Sequence, residues 1–333
     1  MRRPNFFQEY GVLIAFIVLF LVNVATRGQS FLQFENLRNI VSQSAFVGII
    51  AVGMTLVIIS AGIDLSVGSL VAFCGAVCVL ALNKMAPSGD TMALLLALAA
   101  AIGIGLLSGL LNGLIISYGR VAPFVVTLAG LAGFRSLALV LGEGGEIRAD
   151  PSVTDSLSGI GFGGIDIPGA YLVNGGPVTF YWSAIVFIVV AVIFGFVLSR
   201  TRFGRYVISV GANEKAAKYS AINTEVVKLW VYTITGGLCG LSAFLNVARM
   251  SSVGTGSVGH FYELDAIAAV VIGGTSLAGG RGRIWGTVIG IILMTLISNM
   301  MTAYRVDTNW QGLVSGLVIL VAVLLQRGSK SNA

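Results

Sequence analysis

Between Val41 and Leu82 the chain reads VSQSAFVGIIAVGMTLVIISAGIDLSVGSLVAFCGAVCVLAL, and Asp64 is its only charge. A membrane helix takes about 20 apolar residues, so this run is long enough for two. The acid falls at or near the break between them, in Ser60-Ala61-Gly62-Ile63-Asp64-Leu65-Ser66-Val67-Gly68. An ionisable group inside a membrane segment costs about 2.5–3.5 kcal/mol on insertion scales, so it turns to a protein-lined cavity or a helix end. Asp64 therefore marks either a working site or a cap. The rest of the chain agrees with a membrane setting: 56% of its 333 residues are apolar and only 10% are charged. A soluble domain carries about 25% charged residues.

Apolar runs of spanning length occur at 9–26, 41–60, 67–84, 92–117, 121–141, 178–199, 228–248, 264–279, 284–302 and 310–326. The run at 264–279 is short and interrupted by glycine. These runs predict an all-α polytopic membrane protein of about ten transmembrane helices, some broken or short. With the N-terminus inside, Arg2, Arg3, Arg120, Arg281, Arg283, Arg327, Lys330 and the cations between Arg200 and Lys228 fall on the cytoplasmic side. Arg27, Arg38, Lys84, Arg148, Arg249 and Arg305 fall outside, and Arg135 lies within a span. The bias is roughly two to one, and the positive-inside rule then puts both termini in the cytoplasm. The net charge of +6 is thus a topology signal and not a nucleic-acid footprint. The N-terminal apolar run exits through Ala25-Thr26-Arg27 without a small-residue cleavage site, which reads as a retained first span.

Two connections are longer than helix joints need. Residues 142–177 carry Glu143, Glu146, Asp150, Asp155 and Asp166 and are expected outside; 199–227 is the most basic loop and is expected in the cytoplasm. Chemistry beyond transport has little support. The single histidine, His260, excludes a multi-histidine metal centre, and Cys74, Cys78 and Cys239 fall in apolar spans without metal-ligand spacing. The chain contains no G-x-x-x-x-G-K-[ST], so it does not hold ATP through a P-loop of its own.

Asp64 and Ser66 stand before the run that starts near Val67, where an N-cap oxygen would accept orphaned backbone N–H groups. The sharper reading is that broken helix ends near Gly62 and Gly68 line a path for a polar solute. Glu263 and Asp265 fall in the first turn of the run at 264–279, where acids complement the helix dipole. Asn112 and Asn299 are polar residues within spans, suited to interhelical hydrogen bonds. Tyr118, Trp285 and Trp310 sit at span ends, where aromatic belts occur. In the cytoplasmic loop, Asn213 is placed as a cap, Glu214 in the first turn, and Ala216 and Ala217 on a small face able to enter a partner's groove. Finally, Gly62–Gly68 and Gly274–Gly280 share the pattern G-x-x-L-x-x-G, a weak echo of a parallel repeat.

AVGMTLVIISAGIDLSVGSL (51–70), TRFGRYVISVGANEKAAKYSAIN (201–223) and YELDAIAAVVIGGTSLAGGRGRIWGTVIG (262–290) together resemble the membrane permease subunits of ribose-type monosaccharide ABC importers in bacteria. The resemblance extends, more weakly, over nearly the whole chain. It implies one permease domain over 1–333 in the bacterial inner (cytoplasmic) membrane, paired with a second copy or close relative. A cytoplasmic ATPase would dock on the inner loops and a periplasmic or lipid-tethered sugar-binding protein would deliver the solute. No cofactor is expected on this chain, ATP and Mg belonging to the ATPase. The coupling helix of such importers maps to about Asn213–Ala221, with Gly211, Asn213, Glu214, Ala216 and Ala217 as contact candidates. Ala212 and Ala221 depart from glycines frequent in relatives. Candidate pathway residues are Asp64, Ser66, Asn112 and Glu263, and candidate helix breaks are Gly62, Gly68, Gly274 and Gly280. The rival reading is a secondary transporter driven by an ion gradient, with Asp64 as the coupling acid.

Overall fold

The computed structural model describes residues 6–171 and 176–307, with 310, 312–314, 316, 317 and 320. The chain runs α1 (Phe6–Arg27), a short α2 (Gln29–Leu32), α3 (Phe34–Ile59), α4 (Val67–Met85), α5 (Asp90–Ser117) and α6 (Pro123–Leu141). There follow β1 (Glu146–Arg148), α7 (Pro151–Gly161), β2 (Gly164–Tyr171), β3 (Pro177–Tyr181) and α8 (Trp182–Arg200). The last part comprises α9 (Arg202–Ala212), α10 (Glu214–Tyr219), α11 (Thr224–Met250), β4 (Ser252–Gly254), α12 (Tyr262–Ile272) and α13 (Ile284–Ala303). Among the described residues, α3, α4, α5, α6, α8, α11 and α13 are each long and apolar enough to cross a membrane, and α1 adds a shorter apolar stretch, Val12–Arg27. The chain is therefore a multi-pass membrane protein. Most of the run at 310–326 lies outside the described residues.

Burial separates an inner pair of helices from the periphery. In its most apolar window α3 is 89% buried and α11 83%, against 22% for α6. Three neighbours of α3 are joined to it through side-chain hydroxyls. Ser42 and Ser183 share a hydrogen bond of 2.8 Å toward α8, and Thr55 and Thr287 one of 2.7 Å toward α13. Ser242 of α11 donates to the Phe46 carbonyl at 2.7 Å. Such interhelical bonds contribute about 0.6 kcal/mol each in a bilayer, so they set register more than they supply stability.

The tightest helix pair is α5 with α11, and its cause is legible in composition. Ala93, Ala97, Ala101, Gly105, Gly109 and Gly113 recur every four residues along α5, and all are buried. Residues four apart lie on one helix face, so these form a smooth ribbon. A side chain added at Gly105 would strike the Gly236 carbonyl, and one added at Gly240 the Ala101 carbonyl. With no water to expel between lipid-embedded helices, backbone-close van der Waals packing of this kind drives association.

Two expectations change. The run at 264–279 is not a span, because α12 stops at Ile272. At 1.5 Å per residue it is about 16 Å long, half of a bilayer core of about 30 Å. Its other half is an irregular descent. β4 pairs antiparallel with β1 at one end of the bundle, and the chain then drops to Gly259, packed on Gly68 at the start of α4. The described part of residues 142–177 also carries elements of its own. Asp150 caps α7 by accepting from Ser152 N at 2.9 Å, α7 buries Val153, Leu157 and Gly161, and Gly161 lies on the Ala248 carbonyl of α11. Strands β2 and β3 then form a hairpin leading into α8, which starts at Trp182 and not near 178.

Gly236→Ala is expected to lower stability by about 1–3 kcal/mol through overpacking against α5. Gly103→Ala, where a side chain meets nothing within 4 Å, is expected to leave it unchanged. Thermal unfolding of both variants in detergent checks the difference, and equal melting would overturn the close-packing account.

Candidate functional site

The segment between α3 and α4 solves a problem peculiar to a membrane interior. Ending one helix and starting another leaves backbone carbonyls and N–H groups without partners, each costing several kcal/mol in lipid. The last four carbonyls of α3 are all satisfied. Leu56 O accepts from Ser60 N (3.0 Å), Val57 O from Gly62 N (2.9 Å), Ile58 O from Ala61 N (3.0 Å), and Ile59 O from Gly280 N (2.8 Å). The middle two bonds form a Schellman closure, which requires a left-handed residue after the cap. That residue is Ala61, at φ 61°. Gly62 follows it, so the break is made by Ala61 and closed at Gly62.

At the start of α4 the acid takes the backbone N–H of Ser66, the residue just before the helix. Asp64 Oδ1 accepts from Ser66 N at 2.9 Å and from Ser66 Oγ at 2.6 Å. Asn112 of α5 donates Nδ2–H to Ser66 Oγ at 3.1 Å. Asp64, Ser66 and Asn112 are thus brought together as one chain of hydrogen bonds, and they are 3%, 0% and 4% exposed. They are sealed from solvent, which favours the cap over solute contact. The sequence reading placed Asp64 near the helix ends; the structure puts it deeper. Asn112 lies five residues before the end of α5 and Gly130, packed on Ser66, seven after the start of α6. At 1.5 Å per residue this is about 8–10 Å inside the bundle.

Gly68 is not a break. It lies in the first turn of α4, and a side chain there would meet the Gly259 carbonyl and the Glu263 carboxylate. This contact carries Glu263 to the same depth as Ser66, well inside what sequence had taken for an outer entry. It also collects all four candidate pathway residues around the beginning of α4. Unlike the other three, Glu263 is only partly buried.

The second break lies directly against the first. Gly274, at φ 85°, is the left-handed residue after α12, with Gly274 N bonded to Val271 O (3.0 Å) and Thr275 N to Val270 O (3.2 Å). In geometry it corresponds to Ala61 and not to Gly62, so the apparent sequence echo is out of register by one. Gly279 packs on Ala61, Gly280 on Ala212, and Gly211 on the Ile59 carbonyl. Three chain segments cross here with nothing larger than an alanine methyl between them.

Gly211 lies in the last turn of α9, and α10 follows immediately after Asn213. Asn213 caps α10 as expected, its Oδ1 accepting from Ala216 N at 3.0 Å. Glu214 turns back to its own chain, pairing with Lys228 at 2.7 Å and Lys218 at 3.8 Å, while Lys218 pairs with Glu225 at 2.6 Å. Ala217 is buried, so the expected Ala216–Ala217 face does not exist: Ala216 points out and Ala217 in. The outward face is Lys215, Ala216 and Tyr219, the last 92% exposed. Between α10 and the first break lies a cavity of about 420 Å³, lined by Gly62, Gly211, Asn213, Glu214, Lys228 and Tyr232. Sequence reading missed Tyr232, whose hydroxyl donates to the Ile63 carbonyl at 3.4 Å, and Lys228. Other readings hold: Asn299 joins helices through Asn36 (3.1 Å) and Arg27 (2.8 Å), and the three cysteines are free and buried.

Partial burial pushes the Glu214 carboxyl up, but the hydrogen bond and charge of Lys228, with Lys218, outweigh it and hold the group below the usual carboxylate range. A depressed carboxylate contributes stability above its unfolded pKa and loses it as pH falls through the folded value. The α10 clamp is therefore expected to loosen only in acid, below pH about 4.5, and Lys228→Gln is expected to loosen it at neutral pH. Protease nicking of 213–223 measures this, and equal cleavage of both forms would count against the clamp. Asp64→Asn keeps a capping oxygen and is expected to cost less than about 1 kcal/mol. Asp64→Leu loses it and is expected to reduce folded yield severely. Tolerance of leucine would overturn the capping role.

The family described as "Branched-chain amino acid transport system / permease component" matches residues 36–323. Ribose import permease protein RbsC of Escherichia coli (strain K12) is 39% identical over 318 residues, covering 96% of this chain and 93% of the relative. Xylose transport system permease protein XylH of Haemophilus influenzae is 33% identical over 376 residues, covering 98% and 97%. Galactose/methyl galactoside import permease protein MglC of Escherichia coli (strain K12) is 34% identical over 329 residues, covering 96% and 94%. The similarity runs through both breaks and the α9–α10 segment, and the chain belongs to this family of transport-system permease components.

Proposed function

We propose that this chain is the membrane subunit of an ABC importer and forms the path by which a monosaccharide crosses the bacterial inner membrane. The observation that carries the reading is near-full-length similarity to permeases named for ribose, xylose and galactose, at 33–39% identity. Those names agree on a monosaccharide, although the family's own description mentions branched-chain amino acids. The same relatives favour an import-system subunit over a carrier driven by an ion gradient, and the sealed, locally bonded Asp64 fits that preference.

On this reading residues 1–333 act as one permease domain of ten crossings with both termini in the cytoplasm, the eighth crossing made by the descent at 251–261 together with α12. Residues 142–177 face outward, toward a sugar-binding protein, and 199–227 face the ATPase. ATP and Mg sit on that partner, and a second copy or close relative completes the path. The ATPase would grip Lys215, Ala216 and Tyr219. Motion of α10 then has a short route inward, because Gly211 and Ala212 touch Ile59, Gly279 and Gly280 through backbone and an alanine methyl.

The test is uptake into vesicles holding the permease, its ATPase and its binding protein. Accumulation is expected to require ATP and to persist when proton and sodium gradients are collapsed; uptake driven by such a gradient without the ATPase would overturn the reading. An exposed aromatic at the centre of an interface typically carries about 2 kcal/mol or more. Tyr219→Ala is therefore expected to weaken ATPase association about thirtyfold while leaving the permease folded, measured by co-purification and sedimentation.

A further inference from the structure

Exposed side chains on most of the bundle are apolar, as lipid contact requires: Leu107, Leu111, Val140 and Phe196 are all more than half exposed. One face differs. Around the beginning of α12, His260 is exposed and Glu263 and Arg135 are partly exposed. Arg135 lies six residues before the end of α6, about 9 Å inside that helix end. Glu263 is held at the depth of Gly68. Charged groups at such depth do not face lipid and instead line a protein-walled or water-filled space.

How the three groups are held matters more than their exposure. Arg135 Nη1 donates to the Thr255 and Val258 carbonyls, both at 2.8 Å, which ties α6 to the descending segment just before His260. Among the described residues its Nε and Nη2 have no hydrogen-bond partner. The charge of Arg135 acts on Glu263, yet Arg135 does not close on it to the 4.0 Å of an ion pair. Opposite charges at this depth attract strongly. Held near each other without pairing, the two leave donor and acceptor atoms that a polar guest can engage. The set offers guanidinium donors, carboxylate acceptors and an imidazole with one of each, and neighbouring sugar hydroxyls each donate and accept.

We propose that Arg135, His260 and Glu263 form the solute-contacting station of the pathway, a subsite for vicinal hydroxyls of a monosaccharide, while Asp64, Ser66 and Asn112 only shape the helix start behind it. The proposal rests on the sugar-permease reading above. The experiment uses the assembled transporter in vesicles with a saturating binding protein, loaded in turn with D-ribose, D-xylose and D-galactose. Losing one hydrogen bond of about 1.4 kcal/mol is a tenfold effect. His260→Ala and Glu263→Gln are each expected to lower uptake per ATP about tenfold for the best sugar and to change the ratio among the three sugars. His260→Gln, which keeps a donor and an acceptor, is expected to recover most of the uptake. Unchanged ratios in both variants would overturn the subsite, as would a uniform loss that His260→Gln does not relieve. If the wild-type assembly accumulates none of the three sugars, the sugar reading itself fails and the subsite with it.

Discussion

Backbone satisfaction inside the bilayer is the constraint on which this structure turns. A soluble protein can end a helix into water, but inside a bilayer the groups freed between Ser60 and Ser66 are costly unless they find partners in the chain. The solution is distributed. Ala61 and Gly62 close α3 on itself, Asp64 and Ser66 open α4, and the Ile59 carbonyl is completed by Gly280 from more than two hundred positions away. That last bond makes the two interruptions interdependent: the first break is not fully satisfied unless the second is in place beside it.

The same bond explains why glycine crowds this point. Ile59 O receives Gly280 N at 2.8 Å, and Gly211 passes the same carbonyl so closely that a side chain would collide with it. Such proximity makes the crossing stiff. A displacement of α9 is not absorbed by side-chain rotamers there, because the contact is backbone on backbone. It passes into the ends of α3 and α12 together. Close packing also makes such a junction respond in discrete steps more readily than by gradual deformation.

The long helices were legible because lipid imposes a composition on them that nothing else requires. The Asn213 cap was legible because capping is local, needing an oxygen within three residues of its donor. What sequence hid was mostly non-local. Nothing near Lys228 announces that it pairs with Glu214 fourteen residues earlier, or that Ala217 is buried while Ala216 is not. The run at 264–279 looked like a span since hydropathy counts Gly273–Gly279 as neutral, whereas their left-handed turns end the helix at Ile272. The four-residue ribbon from Ala93 to Gly113 was in plain view, and a search for small residues at helical spacing would have named the α5–α11 contact. Attention to charges alone passed over it.

Asp64, the charge that first sets this chain apart, has a twin that clarifies its role. Asp150-Pro151-Ser152 repeats the D-x-S pattern of Asp64-Leu65-Ser66 at the start of α7. There too the acid takes the backbone N–H of the serine at 2.9 Å and its hydroxyl at 2.7 Å, against 2.9 and 2.6 Å at Asp64. One copy is partly exposed and the other is sealed among helices, yet the two pairs of bonds have nearly the same lengths, although Asp150 is itself the N-cap of α7 and Asp64 lies two residues before that of α4. The arrangement is therefore a property of the local sequence, an Asx-type turn that begins a helix, and it requires neither a solute nor a counter-ion. What burial adds is necessity. At Asp150 water can replace the cap, while at Asp64 only the side chain can serve, and the cost of holding an acid in the membrane is the cost of starting a helix there.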